Sequence, residues 1–184
     1  MDKIRELFFQ RIDNFPIQLP DGTYRPANRP LTSEDIRKHL AGEMTIGSYT
    51  IGGGKCRWIC WDFDESREDA VRLFEYLKTK EPYKKSIALE STGGRDGKGT
   101  HVWLFFKPIP SEVAYHLGRL IANEAGVKCE VFPKQPKVPE NGFGNLVKIP
   151  CGIHQKTKQW SILIEPASLD DIVQAEIPPE IFEK

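Results

Sequence analysis

The feature that most constrains this fold is a ten-residue run at positions 56–65, which reads C-R-W-I-C-W-D-F-D-E. Its apolar, aromatic composition after three glycines is typical of a buried strand rather than a helix. Side chains of a strand alternate, so Asp62 and Asp64 point to one face and Trp61 and Phe63 to the other. Two carboxylates on a buried face repel each other unless a divalent cation lies between them. The run therefore predicts a two-carboxylate metal site at the end of a central strand.

A metal-free surface turn is the alternative for residues 62–64, because Asp-x-Asp is a common tripeptide. An EF-hand loop is disfavoured, since its sixth position is Arg67, where that motif requires glycine. The apolar run that leads into the two aspartates strengthens the metal-site interpretation.

Length and charge limit the classes of protein to consider. The 184 residues suffice for one domain with a real core, or for two small lobes around a cleft. With 26 basic and 26 acidic residues, any basic surface for a nucleic acid must be local. No apolar run reaches membrane-spanning length and no signal peptide is evident. We therefore expect a soluble, cytoplasmic protein with no membrane partner.

The four cysteines lack the paired Cys-x2-Cys spacing of a zinc ribbon. Cys151 with His154 could supply two zinc ligands, and Cys56 with Cys60 two more. Small, reduced, buried thiols are the preferred interpretation, so no structural zinc is expected.

Helix and strand signals predict an α+β fold. Helices are expected at 2–12, 33–40, 66–80, 111–125 and 169–175, and strands at 45–51, 56–65, 86–90, 101–107, 127–132, 146–149 and 160–164. Residues 14–31 are expected to form a loop. Val71 should face the core, Ser111 should cap its helix, and the 45–51 strand should pair with the 56–65 strand.

The order β-α-β-β-α-β between residues 56 and 132 is that of the ferredoxin-like, or RNA-recognition-like, plan. The predicted organisation is a single unit over 1–184 with an added N-terminal α/β lobe at 1–50, an RNA-recognition-like module at 51–165 and a C-terminal helix or tail at 166–184.

A glycine-rich loop at 91–100 is suited to phosphate binding, because its backbone N–H groups can approach an anion. Lys98 is placed to reach a phosphate, and His101 can donate to one from the start of the next strand. A plain flexible hairpin is the alternative. Glu130 lies in a short strand, either as a sheet-edge acid or as a third carboxylate of the metal cage.

Lys148 and His154 flank a turn set by proline and glycine within a locally basic segment at 128–158. Aromatic residues are interleaved with its lysines, which fits an unpaired nucleic acid. A solvated basic face is the alternative.

Together, four motifs resemble the archaeo-eukaryotic primase superfamily. They are the apolar-Asp-x-Asp strand, a Gly-Lys-Gly-x-His loop entering a V-W-L-F-F strand, an acid before Phe-Pro-x-Gln, and a late K-I-P-x-G-x-H segment. The likeness runs from about Pro26 to Trp160. It is closest to the small primase-polymerases found with CRISPR adaptation genes and conflict systems.

The resemblance implies a DNA-dependent primase-polymerase, with its active site in the cleft between lobe and module. It would transfer nucleotides from NTPs or dNTPs on single-stranded or primed DNA and also start primers de novo. CRISPR adaptation proteins are candidate partners. Two Mg²⁺ or Mn²⁺ ions would be held by Asp62, Asp64 and Glu130, which are also the implied catalytic residues. The implied nucleotide-binding residues are Ser91, Lys98, His101, Lys148 and His154. The family's Ser-x-His is not matched literally, because Gly99 stands two residues before His101.

Two other functions stay open. A haloacid-dehalogenase-like phosphatase also has a strand that ends in Asp-x-Asp, but it leaves the glycine-rich loop unused. A non-catalytic RNA-recognition-like nucleic-acid-binding subunit would need no metal, but the exposed aromatic signature of that fold is absent.

Overall fold

The computed structural model describes residues 1–181. They form a mixed α+β fold, as predicted, and the sheets of this fold are antiparallel. The helices are α1 (Asp2–Phe8), α2 (Ser33–Leu40), α3 (Arg67–Lys78) and α4 (Ser111–Glu124). The strands are β1 (Pro16–Gln18), β2 (Tyr24–Pro26), β3 (Gly47–Tyr49), β4 (Lys55–Phe63), β5 (Ile87–Ser91), β6 (Thr100–Pro110), β7 (Glu130–Phe132), β8 (Leu146–Lys148) and β9 (Ile162–Glu165). Within the described range, no helix is long and apolar enough to cross a membrane.

The central sheet has five strands in the order β7-β4-β6-β5-β9, and each neighbouring pair is antiparallel. Helices α3 and α4 cover one face of it. The buried side of α3 presents Ala70, Leu73, Phe74 and Leu77, which recur at helical spacing. Val71 is exposed, so its predicted place in the core is wrong: it lies one position off that stripe.

The other face of the sheet is covered by the N-terminal residues. Trp58 and Trp103 are fully buried there, and Phe8 of α1 packs edge-on against Trp103 with ring centroids 5.1 Å apart. The indole of Trp58 donates to the Phe8 carbonyl at 2.8 Å. Burying each large side chain stabilises the fold by roughly 1.5–3 kcal/mol. The lobe and the sheet therefore share one core.

Strand β3 pairs with β8, not with β4 as expected, and Gly47 lies opposite Lys148. Strands β3 and β4, on either side of the turn at 52–54, belong to different sheets. A single β-bridge between Gly52 and Lys55 spans this turn. The expected loop at 14–31 contains the β1–β2 hairpin, with Gln18 opposite Tyr24.

Two helix-end predictions also need correction. Pro110 occupies the N-cap of α4, and the Ser111 hydroxyl instead donates to the Pro136 carbonyl at 2.7 Å. The helix expected at 169–175 is only a 3-10 turn at Leu169–Asp171, followed by another at Pro179–Ile181. The last three residues of the predicted 166–184 segment lie outside the described range.

A row of polar residues crosses the lobe-facing side of the sheet at one end. Asp62 pairs with Glu130 on β7 and with His101 on β6, and His101 pairs with Glu90 on β5. Directly paired residues of antiparallel strands share a face, so these four side chains leave the sheet on the same side. The strand register thus places a row of polar side chains on a sheet face that is otherwise apolar.

Candidate active site

Above this row lies a pocket of about 220 Å³, lined by residues from both the N-terminal lobe and the sheet. Its lining consists of Tyr24, Asp62, Asp64, Thr92, Gly94, Gly99, His101, Val147, Lys148 and His154. Five of the eight site residues predicted from the sequence are among them. A larger pocket of about 460 Å³ lies at the other end of β4, around Gly53 and Gly54. None of these five predicted site residues lines it.

The two aspartates reach the pocket because the helix-facing side of β4 anchors the strand. Trp61 and Phe63 are buried on that side, so alternation turns Asp62 and Asp64 toward the lobe. Asp62 Oδ1 lies 3.5 Å from His101 Nε2. The acidic end of the pocket therefore carries two half-buried carboxylates side by side.

This carboxylate pair suits a hard divalent cation such as Mg²⁺ or Mn²⁺, which prefers oxygen ligands. Among the described residues, no group of three or more His, Cys, Asp and Glu side chains is arranged to hold a metal ion. An ion held by these two side chains would take its other ligands from phosphate oxygens and water, as Mg²⁺ commonly does.

Glu90 is a member of the site that sequence reasoning missed. Its side chain is fully buried and accepts from Trp103 Nε1 at 2.8 Å and from the Ser161 hydroxyl at 2.5 Å. His101 Nδ1 lies 3.1 Å and Lys148 Nζ 3.8 Å from its two oxygens. One buried carboxylate thus contacts both cationic groups that border the acidic end of the pocket.

The neighbours of Glu90 decide its charge. Burial by itself raises the pKa of this carboxyl, but His101, Lys148 and Ser161 outweigh burial and lower the pKa to about 2. Burial also lowers the pKa of the Lys148 ammonium, against the pull of Glu90. Glu90 is therefore a permanent anion under the pocket floor at neutral pH.

His101 carries the complementary charge. Burial disfavours its charged form, but Cys60, Asp62 and Glu90 raise its pKa well above the usual value. Because burial raises the pKa of the Cys60 thiol to about 11, Cys60 keeps its proton. The carboxylates of Asp62 and Glu90 on either side of the ring favour its charged form, in which both nitrogens donate.

The wall opposite the aspartates is basic and polar. His154 Nε2 lies 3.4 Å from the Gln18 amide nitrogen, which also donates to the Tyr24 hydroxyl at 3.1 Å. Burial, with Lys148 and Lys156 nearby, lowers the pKa of His154, and burial raises that of Tyr24. The β1–β2 hairpin therefore sets the position of His154.

The glycine-rich loop closes the pocket by packing on the 154–160 turn. Gly93 has φ +75°, and a Cβ there would lie 2.6 Å from the Gln159 carbonyl oxygen. The Thr157 hydroxyl donates to the Gly93 carbonyl at 2.6 Å. A side chain at Gly93 would clash with backbone, so the loop needs glycine here to approach the turn.

Three predicted residues lie outside this pocket lining. Ser91 leaves the sheet on the helix side, where its hydroxyl accepts from Arg67 Nη2 at 3.1 Å. Lys98 is exposed in the loop. Glu130 is exposed and forms an ion pair with Lys134 at 3.0 Å, although its strand position is opposite Asp62.

Other residues of the site were missed by the sequence reasoning. Glu90 could have been found from the sequence, because it ends the apolar strand I-A-L-E. A carboxylate buried in such a strand is stable only if it is paired and hydrogen-bonded. Tyr24 carried no such signal, since it lies in a segment expected to be a loop.

A family model, that of the archaeo-eukaryotic primase domain of the TOTE conflict system, matches residues 17–174. The chain belongs to this family. The match includes every residue that lines the pocket, and it confirms the resemblance to conflict-system primases. No curated protein matches the sequence.

Membership makes the chain a primase-like nucleotidyltransferase at the level of the superfamily. The phosphatase alternative is thereby set aside. The pocket with Asp62, Asp64 and His101 is the candidate active site of this primase domain.

Proposed function

We propose that this primase domain is a DNA-dependent primase-polymerase that joins nucleotides from NTPs or dNTPs on single-stranded or primed DNA, including de novo primer synthesis. The observation that carries the proposal is the convergence of Asp62, Asp64, His101, Lys148 and His154 on one pocket. Two acids meet three basic side chains there, which is the arrangement that a metal-bound triphosphate requires.

Each side chain has a role in this proposal. Asp62 and Asp64 would hold Mg²⁺ or Mn²⁺, which when bound neutralises phosphate charge and activates the attacking 3′-hydroxyl. His101 would turn its single Nε2–H from Asp62 to a phosphate oxygen once the ion occupies that carboxylate. Lys148 and His154 would bind the triphosphate from the opposite wall.

The three residues outside the pocket lining take subsidiary roles. Glu130 would serve as a third metal ligand after leaving Lys134, since its register already places it beside Asp62. Lys98 would reach the outer phosphates from the loop. Ser91 faces Arg67, so Thr92 is the hydroxyl that the pocket offers to a phosphate in its place.

The topology supports an RNA-recognition-like catalytic module with the active site in the cleft beneath the N-terminal lobe. The connection order β4-α3-β5-β6-α4-β7 follows that plan, with β7 and β5 on the outer sides of β4 and β6. We assign template binding to the basic segment 128–158 and the N-terminal lobe. The proposed recruiting partners are CRISPR adaptation or conflict-system proteins in the cytoplasm.

A primer-synthesis assay tests the proposal. The purified protein is given single-stranded DNA, labelled nucleotides and Mn²⁺ or Mg²⁺, beside Asp64→Asn and the control Asp171→Asn, which alters an exposed acid of the Leu169–Asp171 turn. Wild type and control should make metal-dependent oligonucleotides, and Asp64→Asn should make at least about a hundredfold less.

Wild-type product levels from a folded Asp64→Asn variant would refute the assignment. If wild type neither starts nor extends a primer but binds DNA without a divalent ion, the non-catalytic binding subunit is the better description.

A further inference from the structure

We infer that Glu90 is the positioning residue of the triphosphate site, and that it fixes the directions in which His101 and Lys148 enter the pocket. The inference rests on the proposed function, because it concerns how the same pocket would hold its substrate. Glu90 itself lies below the pocket floor and touches no substrate.

The first support is that Glu90 is at the centre of a complete buried network. Oε2 accepts from Trp103 Nε1 and faces His101 Nδ1, and Oε1 accepts from Ser161 and faces Lys148 Nζ. These partners come from β6, β8 and the residue before β9. A fully buried carboxylate is stable only when such partners surround it, so its position and theirs are set together.

The second support is that Glu90 directs both cations. The His101 ring is held at Nδ1 by Glu90 and edge-on by Trp103 at 5.6 Å, which leaves Nε2 facing Asp62. Among the described residues, Lys148 Nζ also lies 3.5 Å from the Ile149 carbonyl oxygen, at the limit of a hydrogen bond. The Glu90 carboxylate is slightly farther away, at 3.8 Å, but its negative charge makes it the stronger partner of the ammonium.

One substitution separates the effect of Glu90 on His101 from its effect on Lys148, because the two residues face different oxygens of the carboxylate. In Glu90→Gln, the side facing Trp103 and His101 must stay an oxygen, because both of those partners donate. The amide NH₂ then points at Ser161 and Lys148. Ser161 can rotate its hydroxyl to accept, but Lys148 cannot. Glu90→Gln therefore keeps His101 in place and releases Lys148.

The experiment measures the affinity of the full chain for inorganic tripolyphosphate with Mg²⁺ by titration calorimetry. The variants are Glu90→Gln, Lys148→Met and the double variant. The control is Ser111→Ala, which removes the 2.7 Å hydrogen bond to the Pro136 carbonyl at the other end of β4. Glu90→Gln should raise Kd by at least about tenfold, and Ser111→Ala should leave it within about twofold.

A purely structural role would give a different result in the double variant. If Glu90 acts through Lys148, Glu90→Gln should add little once Lys148 is methionine. A full additional loss in that background, or a Kd for Glu90→Gln within about twofold of wild type, would overturn the inference. Absence of tripolyphosphate binding by wild type would do so as well.

Ser161→Ala is the second variant, in case Glu90→Gln does not fold. It removes the 2.5 Å bond that holds Oε1 but keeps the charge of Glu90. It should raise Kd by about threefold, and an unchanged Kd contradicts the inference. Failure of the proposed function is a separate result, in which tripolyphosphate binds as expected but no primer is made or extended.

Discussion

His39 and Glu90 are both buried, but their neighbours leave them in opposite charge states. Glu90 is surrounded by donors, which keep it ionised. The His39 ring lies between the Pro150 carbonyl at 2.9 Å and the Ile46 amide, which donates to Nδ1 at 3.1 Å. Those partners suit a neutral ring that donates from Nε2, and burial lowers the pKa of His39 to about 4.

The buried neutral His39 should make the fold less stable in mild acid. Its pKa is about 4 in the fold, against an ordinary value of 6.5, so the unfolded chain binds the extra proton between these values. Its stabilising contribution is complete above the ordinary value and is lost as the pH falls toward the folded value. We expect a loss of about 2 kcal/mol between about pH 7.5 and pH 5 from this residue.

Urea unfolding of wild type and His39→Gln at the two pH values isolates this contribution. Glutamine can still donate to the Pro150 carbonyl but has no titrating ring. The free energy of unfolding should fall by about 2 kcal/mol more in wild type than in the variant. Equal pH dependence of the two proteins would show that His39 is not buried in a neutral state.

At the scale of elements, the short turn at 150–154 connects α2 with the basic wall of the pocket. A Cβ at Gly152 would lie 2.2 Å from His39 Cε1, so the turn can pass over the α2 histidine only without a side chain. The Ser161 amide donates to the Gly152 carbonyl at 2.8 Å. This contact sets the path of the chain between Lys148 and His154.

Gly152→Ala should therefore destabilise the fold by about 1–3 kcal/mol, because the added methyl overlaps the imidazole. His39→Ala removes the ring that the methyl meets. In that background, Gly152→Ala should cost less than about 1 kcal/mol. Urea unfolding of the four proteins of this cycle measures the coupling. Additive losses would mean that the two residues do not meet.

At the scale of the whole molecule, the N-terminal lobe and the sheet are joined by one aromatic cluster. Phe8 packs on Trp103 and on Phe105, with ring centroids 5.1 and 5.0 Å apart. Strand β3 of the lobe pairs with β8 from the later part of the chain. The lobe therefore has no core separate from that of the sheet among the described residues.

This shared core predicts a single cooperative unfolding transition for the lobe and the sheet together. Tryptophan fluorescence and far-ultraviolet circular dichroism should give coincident curves in urea. Phe8→Ala should lower the free energy of unfolding by about 3–5 kcal/mol and move both curves equally. Two separated transitions in either protein would be evidence for an independent lobe.

Much of the local structure could be predicted because it depends on residues close together in the sequence. Alternation along β4 placed Asp62 and Asp64 on one face, and α2 begins at Ser33 as expected. The structure shows that a capping box of Thr32 with Asp35 fixes this start. The motifs also indicated the primase family, because their order along the chain is a property of the sequence itself.

What only the tertiary structure decided are the contacts between distant segments. The pairing of β3 with β8 and the burial of Glu90 under His101 and Lys148 depend on which strands become neighbours and in what register. Ser91 was assigned to the nucleotide site, yet it lies on the opposite face of β5 from Glu90. A shift of one residue in a strand reverses its face, and the register comes from long-range packing rather than from local preference.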